Sequence, residues 1–169
     1  NFFSESSRLN DNTAWVRSLV PKEKKSTASA RCPARIQART VSIITPSFNQ
    51  ARYLEATIQS VLGQDYPRIE YIIVDGGSTD GSADIIKKYE SKLGWWISEK
   101  DKGQTDAINK GFSRAKGDIL AWLNSDDTYE PKAVGAAVKY LLEHPGVGMV
   151  YADANFINED GRVIGKFNS

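Results

Sequence analysis

The sequence contains few of the residues on which several common kinds of functional site depend. Cys32 is the only cysteine and His144 the only histidine among 169 residues. One cysteine excludes an internal disulfide framework and a zinc site built from several cysteines, and it fits a reducing compartment. Ser-His or Cys-His catalysis would have to use His144. Its position at the predicted end of a helix favours an ordinary solvated histidine, since that residue suits the negative end of the helix dipole.

Long apolar runs are also missing from the sequence. No stretch approaches the ~18 residues that a membrane-spanning helix needs, and no signal peptide is visible. The chain begins with Asn rather than Met. We therefore expect it to be processed or to be a piece of a longer protein, with any membrane association arising through parts outside this chain.

Charge is unevenly distributed, although the formal net charge is only +1. Residues 1–39 contain eight Lys/Arg and three Asp/Glu, whereas residues 40–169 contain fourteen and eighteen. A nucleic-acid-binding surface would need its basic residues beside aromatic ones on the folded part. We therefore predict no nucleic-acid partner, a basic polar arm or linker over residues 1–39 with a short helix at residues 9–20, and a folded domain over residues 40–169.

From Thr40 onward, short β-branched or apolar runs alternate with segments whose apolar residues recur at helical spacing. The predicted strands cover residues 41–45, 69–74, 95–97, 119–123 and 147–151, and the predicted helices cover residues 51–62, 85–93, 107–115 and 131–142. A hairpin follows, with Asp160 and Gly161 in its turn. This alternation predicts an α/β fold in which helices flank a mostly parallel central sheet.

One edge of the predicted sheet collects small, polar and acidic residues. Ligands of open parallel sheets bind beyond the carboxyl ends of the strands. The segments that follow the predicted strands are residues 46–49, 75–80, 98–103, 124–127 and 153–155. The opposite edge carries ordinary turn residues. This asymmetry predicts a ligand site at the carboxyl edge.

The adjacent acids Asp126 and Asp127 at this edge have two interpretations. Like charges so close raise each other's pKa unless a cation neutralises them, and carboxylates without His or Cys nearby suit Mg²⁺ or Mn²⁺. Alternatively, the pair caps the N-terminus of the helix that follows. The spacing alone leaves the metal site and the cap equally supported.

Two further features of this edge also leave alternatives open. Asp75 before Gly76 either accepts hydrogen bonds from a ligand or belongs to a tight turn in which Asp80 caps the next helix. Ser78 stands where a dinucleotide fingerprint needs its second glycine, so NAD binding is not expected. Phe48 either stacks on a base or anchors its loop in the core.

Together these segments resemble the inverting family 2 glycosyltransferases, whose GT-A fold is Rossmann-like. The similarity extends from about residue 41 to about residue 166. It rests on residues 41–49 (VSIITPSFN), 60–64 (SVLGQ), 70–81 (EYIIVDGGSTDG), 106–111 (DAINKG), and 115–118 (AKGD) with 124–127 (NSDD). Five segments in this order are highly specific.

The resemblance implies a nucleotide-sugar donor, most simply a UDP-sugar, and a glycan or lipid-linked acceptor whose hydroxyl attacks with inversion. It also implies Mn²⁺ or Mg²⁺ on the donor diphosphate. The implied metal ligands are Asp126 and Asp127, and the implied donor-binding residues are Pro46, Ser47, Phe48, Asn49, Asp75, Gly76, Lys102, Asp106, Asn109 and Ser125. The family builds polysaccharides and other cell-surface glycans, usually from the cytoplasmic side of the membrane, which implies a cytoplasmic location.

Three departures from the family pattern bear on these expectations. Gly76 stands where relatives often carry a second Asp that can contact the base. Asn124 stands where the first Asp of the D-x-D motif usually lies. The family's catalytic base usually comes later than Ser169, so we expect the domain to be truncated at its C-terminus and assign no catalytic residue. A nucleotide-binding module without transferase activity is the alternative function for this chain.

Overall fold

The computed structural model describes residues 14–17, 39–158 and 161–167. The strands within these ranges are β1 (Ala14–Arg17), β2 (Val41–Ser47), β3 (Ile69–Asp75), β4 (Trp95–Ser98), β5 (Ile119–Trp122), β6 (Asp127–Tyr129), β7 (Ala154–Ile157) and β8 (Val163–Phe167). The α-helices are α1 (Ala51–Leu62), α2 (Ser82–Lys88), α3 (Gln104–Arg114) and α4 (Ala133–Glu143), and a 3₁₀ turn covers Glu90–Lys92.

The central sheet is parallel throughout, with the strand order β4-β3-β2-β5. All seven residues of β2 are buried, as are the last five of β3. Strands covered on both faces need apolar side chains in both directions, and this explains their nearly continuous β-branched sequences. The predicted α/β fold with helices flanking a parallel sheet is confirmed.

Helices cover both faces of this sheet. On one face, Ile43 and Tyr71 belong to a core cluster with Ile58 of α1 and residues of α2 and α4. On the other face, Ile44 packs with residues of β3 and α3. α3 lies close to β2 because Gly111 has no side chain, and a Cβ there would be 2.5 Å from Ile44 Cγ2.

The Glu70 carboxylate links neighbouring segments at the amino edge of the central sheet, which is the edge opposite the predicted ligand site. Glu70 Oε2 accepts hydrogen bonds from Ser42 Oγ (2.5 Å) and from the backbone N–H of Lys116 (2.8 Å). Ser42 Oγ in turn accepts one from the Gly117 N–H (2.8 Å). These bonds join β2, β3 and the loop that follows α3.

A second, mixed sheet has the order β6-β1-β7-β8. β1 pairs in parallel with β6 and antiparallel with β7, so the helix predicted at residues 9–20 is wrong for residues 14–17, and its other residues lie outside the described ones. β7 and β8 form the predicted hairpin. Its turn includes Gly161 with φ 76°, while Asp160 lies outside the described residues.

Two other predictions at this end of the chain need correction. Residues 147–151 are not a strand: they form no ladder with any described residue, and Met149 and Tyr151 are exposed. Pro131 precedes α4 rather than lying in its first turn, since the helix begins at Ala133 after Lys132, whose φ is 69°. Within the described residues, no helix combines the length and hydrophobicity that a membrane crossing requires.

Candidate functional site

A cleft of about 520 Å³ lies at the carboxyl edge of the central sheet. This volume falls within the range that small-molecule sites occupy. Its lining residues are Pro46, Ser47, Phe48, Gln50, Gly76, Lys100, Asp101, Gly103, Gln104, Ala107, Asn124, Ser125 and Asp126. They come from the end of β2, from the segments that follow β2, β3, β4 and β5, and from the start of α3, so the edge predicted from the sequence carries the cleft.

Six predicted donor-site or metal-site residues line the cleft: Pro46, Ser47, Phe48, Gly76, Ser125 and Asp126. Phe48 is 60% exposed, so the alternative of an anchor buried in the core is wrong. An exposed ring at the mouth of a cleft offers a flat surface for stacking. Its contact with a base stays a prediction.

Ser47 is the last residue of β2 and is 96% buried, with 4% of its surface exposed. Its backbone carbonyl accepts a hydrogen bond from the Gly76 N–H (2.8 Å). Its Oγ has no hydrogen-bond partner among the described residues. A buried hydroxyl without a partner is costly and calls for an explanation. Because Ser47 also lines the cleft, this hydroxyl is a candidate for a hydrogen bond with a bound ligand.

The loops after β2 and β3 are joined by hydrogen bonds through a side chain from each. Asn49 Oδ1 accepts a bond from the Thr79 N–H (2.9 Å), and the Asn49 N–H donates to Ser78 Oγ (2.8 Å). Ser78 Oγ donates onward to Asp75 Oδ1 (2.5 Å). Asn49, a predicted donor-binding residue, therefore braces the loops that frame the cleft rather than lining it.

Asp75 does not line the cleft. It is fully buried, and its Oδ2 accepts hydrogen bonds from the N–H groups of Gly77 (3.2 Å) and Ser78 (2.9 Å) and from Ser98 Oγ (2.6 Å). Its carboxylate is thus used to shape its own loop and to hold the end of β4. The geometry supports the tight-turn interpretation of this residue and gives no support for direct contact with a ligand.

The Asp80 carboxylate accepts hydrogen bonds from the first residues of two helices, α1 and α2. Its Oδ1 accepts hydrogen bonds from the N–H and Oγ of Ser82, the first residue of α2, and its Oδ2 accepts one from the N–H of Ala51, the first residue of α1. Partial desolvation acts to raise the pKa of Asp80, but the bonds from Ser82 and Ala51 outweigh it and hold the pKa below its usual value. Gly81 rather than Asp80 is the N-cap residue of α2, so the predicted cap is wrong by one position, but the Asp80 carboxylate accepts bonds from the first N–H group of both α1 and α2.

The segment after β5 separates the two predicted metal ligands. Asp126 is half-buried and lines the cleft, whereas Asp127 is the first residue of β6 and is 1% exposed. Asn124 Nδ2 donates to Asp127 Oδ2 (3.1 Å), and Asn124 Oδ1 accepts a bond from Gln104 Nε2 (2.8 Å). Asp127 therefore does not face the cleft. The helix-cap alternative is wrong for both acids because α4 begins only at Ala133.

Asp126 is a carboxylate on the cleft wall that could supply one ligand to a divalent cation. In the part of the chain that the structure describes, no three His, Cys, Asp or Glu side chains form a group that could bind an ion alone. Mg²⁺ sites commonly use one or two carboxylates and complete their coordination with substrate phosphates and water. Asp126 suits that role, with Ser125 beside it on the cleft wall.

The remaining predicted residues lie along α3 and just before it, outside the cleft lining. The Lys102 N–H donates to Asp106 Oδ2 (3.2 Å), and this bond is the main reason that the pKa of Asp106 is lowered. Lys110 Nζ lies 3.0 Å from Glu99 Oε1 and 3.4 Å from Asp106 Oδ2, and the bond with Glu99 is the main reason that its pKa is raised. Asn109 is exposed on the same helix.

The sequence predictions missed several cleft residues, among them Gln50, Lys100, Asp101, Gln104 and Asn124. Lys100, Asp101 and Asn124 lie in the segments 98–103 and 124–127, which the sequence places at the ligand edge without singling these residues out. Gln104 could not be recognised in that way because it already belongs to α3. The site is therefore built as much from the β4–α3 connection as from the segments with recognisable motifs.

Comparison with known proteins identifies relatives of this chain. The family described as glycosyl transferase family 2 matches residues 42–166. A Bacillus subtilis protein named for teichuronic acid biosynthesis, the glycosyltransferase TuaG, is 35% identical over 130 residues, which cover 75% of this chain and 51% of the relative. A PGL/p-HBAD biosynthesis glycosyltransferase of Mycobacterium bovis is 34% identical over 131 residues, which cover 75% and 51%. The chain thus spans about half the length of these curated relatives.

Solved structures share the fold. A mannosyltransferase of Pyrobaculum calidifontis, in complex with GDP-Man and Mn²⁺, superposes with a TM-score of 0.57 at 27% identity, over 63% of this chain and 33% of that one. Residues 1–349 of S. aureus TarS, in complex with UDP-GlcNAc, superpose with a TM-score of 0.57 at 28% identity, over 63% and 32%. The central sheet and its helices therefore have the GT-A arrangement.

Proposed function

The chain belongs to glycosyl transferase family 2, and from that premise we propose that it is the donor-binding part of an inverting glycosyltransferase. The donor is a nucleoside diphosphate sugar, with a UDP-sugar as the expected case. The acceptor is a hydroxyl of a glycan or lipid-linked glycan. The chain spans about half the length of its curated relatives, so this proposal concerns the activity of the protein as a whole.

One observation carries the proposal. A single cleft at the carboxyl edge of the parallel sheet has the exposed ring of Phe48, the backbone of Gly76 and the carboxylate of Asp126 on its walls. These groups offer a stacking surface for a base, a close backbone approach and a hard oxygen ligand. A nucleoside diphosphate can use these groups for its base and for its metal-bound diphosphate. The buried Ser47 Oγ, which has no partner among the described residues, adds a group that a ligand could satisfy.

The relatives support the choice of ligand. The Pyrobaculum mannosyltransferase was solved with GDP-Man and Mn²⁺, and S. aureus TarS with UDP-GlcNAc. By analogy, the base of the donor lies beside Phe48 and its diphosphate beside Asp126. A divalent cation bound there would neutralise charge on the departing nucleoside diphosphate.

The described residues bind and orient the donor in this proposal. Phe48 and Pro46 hold the base, and Ser47 and Ser125 offer hydroxyl groups to polar parts of the ligand. Gln104 bridges to Asn124 and so holds the start of α3 against the segment that carries Asp126. Inversion requires an acceptor hydroxyl to attack from the face opposite the leaving diphosphate. We assign no catalytic base among the described residues.

The names of two relatives support a proposal about the biological role of this protein. TuaG is named for teichuronic acid biosynthesis and the Mycobacterium bovis relative for PGL/p-HBAD biosynthesis. We therefore propose a role in making cell-surface glycans, with the domain on the cytoplasmic side of the membrane. Fractionation of cells that express the full-length protein, with protease added from either side, tests that location.

Calorimetric titration of this chain with UDP, GDP and dTDP, each with and without Mn²⁺, tests the donor site. We expect one nucleotide to bind, and to bind only with the cation. Asp126→Asn should remove most of the metal-dependent affinity. Asp84→Asn makes the same charge change on an exposed residue of α2 and should leave binding unchanged. Absence of binding by all three nucleotides with Mn²⁺ present would refute the proposal.

Transfer is tested separately from binding. The alternative function is a nucleotide-binding module without transferase activity. Hydrolysis or transfer of radiolabelled sugar from the nucleotide that binds, measured with the full-length protein and a glycan acceptor, distinguishes the two. Binding without release of labelled sugar under any acceptor condition favours the module.

A further inference from the structure

The segment between β5 and β6 forms a tight turn that presents one of its two acids to the cleft. The Asp127 N–H donates to the Asn124 carbonyl (3.1 Å), which closes the turn, and the Ser125 carbonyl accepts a bond from Thr57 Oγ1 of α1 (2.8 Å). Asp126 lines the cleft, whereas Asp127 is 1% exposed and begins β6. The conformation of this turn therefore decides which carboxylate faces a ligand.

The side chain of Asn124 supplies a donor and an acceptor at once. Asn124 Nδ2 lies 3.1 Å from Asp127 Oδ2, and Asn124 Oδ1 lies 2.8 Å from Gln104 Nε2. An ionised carboxylate only accepts hydrogen bonds, so the amide must direct its N–H₂ group at Asp127. Its oxygen then faces Gln104, which donates to it. Asn124 thus connects the turn with the first residue of α3, which forms another wall of the cleft.

A carboxylate at position 124 would disrupt this arrangement. It could still accept a bond from Gln104, but it would place a second negative oxygen where Nδ2 now lies, 3.1 Å from Asp127 Oδ2. The burial of Asp127 makes such repulsion costly, because little water is present to screen it. The amide oxygen of Asn124 is also poorly placed to bind a cation, since the N–H₂ group of Gln104 presents positive charge to it. These contacts favour a support for the turn over a metal ligand.

We propose that Asn124 is a positioning residue, which orients the turn so that Asp126, and not Asp127, faces the donor diphosphate and its cation. This inference rests on the proposed function. The bond to Asp127 holds the second acid away from the cleft, and the bond from Gln104 keeps the turn against α3. Asn124 acts through Asp126 and does not itself bind the cation. An asparagine at this position then has a role that an aspartate could not fill.

Exchange of two side chains tests this role, with bound Mn²⁺ measured in the presence of UDP as the loss of the free-ion EPR signal. Asn124→Asp should weaken Mn²⁺ binding at least about fivefold, because two carboxylates then face each other across the turn. Asn124→Asp combined with Asp127→Asn keeps the net charge of the wild type and restores a donor and an acceptor in exchanged positions. Gln104 can still donate to residue 124. This double variant should bind Mn²⁺ to within about twofold of wild type.

A second set of variants tests the link to α3. Gln104→Ala should weaken Mn²⁺ binding with UDP roughly threefold, since the bond that it removes is neutral and exposed. In the Asn124→Ala background that bond is already absent, so Gln104→Ala should have no further effect. Additive losses would show that Gln104 acts independently of Asn124 and would overturn the link.

Urea denaturation of each variant separates a role in positioning from a purely structural one. A lower unfolding midpoint for Asn124→Asp with unchanged Mn²⁺ affinity would make the inference wrong. If Asn124→Asp does not fold, the double variant decides alone: affinity within about twofold of wild type supports the inference, and a larger change in either direction overturns it.

The remaining outcomes separate this inference from the proposed function. If Asn124→Asp binds Mn²⁺ more tightly than wild type, residue 124 can act as a cation ligand and the inference is wrong. A double variant as weak as Asn124→Asp would also overturn it, since the exchanged pair would then not support the turn. Both results leave the donor site standing. If wild-type protein binds no nucleotide with Mn²⁺, the proposed function and the inference fail together.

Discussion

Removing the carboxylate of Asp80 should destabilise the protein through two helices at once. α1 begins after Gln50 and α2 after Gly81, and neither of these residues caps its helix with a side chain. Asp80 accepts hydrogen bonds from the first N–H group of both helices. Loss of a helix cap typically costs about 1 kcal/mol. Because Asp80 is exposed and water can partly replace it, we expect Asp80→Ala to lower the free energy of unfolding by about 1–2 kcal/mol in total.

Urea denaturation at pH 7, followed by circular dichroism, measures this loss. The matched control is Asp84→Ala, which removes an exposed acid from the first turn of α2 and loses only its interaction with the helix dipole. That interaction is typically worth about 0.3–1 kcal/mol at an exposed site. A cost for Asp80→Ala no greater than that of Asp84→Ala would refute the double-cap argument.

The pH dependence provides a second test of the same residue. The pKa of Asp80 in the folded protein is lowered, whereas the unfolded chain has the ordinary value of about 3.9. A lowered folded-state pKa contributes stability that is fully present above about pH 4 and is lost as the pH falls through the folded-state pKa. The difference in stability between wild type and Asp80→Ala should therefore be constant from pH 7 to about pH 5 and shrink below pH 4. A difference that stays unchanged down to pH 2 would contradict this assignment.

Three further predictions concern the packing of α3, the cleft mouth and the amino edge of the sheet. Gly111→Ala should cost about 1–3 kcal/mol in urea denaturation because its methyl group meets Ile44 Cγ2 close to the β2 backbone, whereas Gly146→Ala, in open space, should cost less than about 0.5 kcal/mol. Phe48→Ala should weaken nucleotide binding roughly tenfold or more in calorimetry without changing the urea midpoint, since the ring is exposed and we propose that it stacks on the base; equal affinity would count against stacking. Glu70→Gln should lower the free energy of unfolding by about 1 kcal/mol and leave nucleotide affinity unchanged, because its hydrogen bonds lie at the opposite edge of the sheet; a change in affinity would show that the two edges are coupled.

The central sheet could be predicted because its strands have the simplest pattern. β2 and β3 are buried on both faces, and such strands read as short continuous apolar runs between turns. The second sheet could not be predicted in that way. β6 has only three residues, and β1 lies more than a hundred positions from its partner β6, so neither has a local signal. Residues 147–151 have strand-like composition, but a strand also needs a neighbour with which to pair.

The sequence predicted where the candidate site lies, but it identified only some of the residues that line the cleft. The position after each strand correctly marked Phe48, Gly76 and Asp126 as cleft residues. It could not distinguish a carboxylate that faces the cleft from one used inside its own loop, as Asp75 is. That difference depends on which N–H groups the turn directs at the side chain, and the sequence does not reveal it. Asp101 lies so close to Gly76 that a Cβ at position 76 would be 2.9 Å from Asp101 Oδ2, and this proximity of two separate loops has no signature in the sequence.

The hydrogen bonds that join Asn49 to Ser78 and Thr79 have a thermodynamic consequence. Ordering a backbone segment costs about 1–2 kcal/mol per residue, and in this protein the loops around Phe48 and Gly76 are ordered when the chain folds. Association with a nucleotide then requires little additional ordering, and its heat-capacity change should reflect mainly the apolar surface that the ligand covers. Ligand affinity is thereby linked to the stability of the loop frame. A substitution that loosens this frame should weaken binding even where the altered residue does not line the cleft.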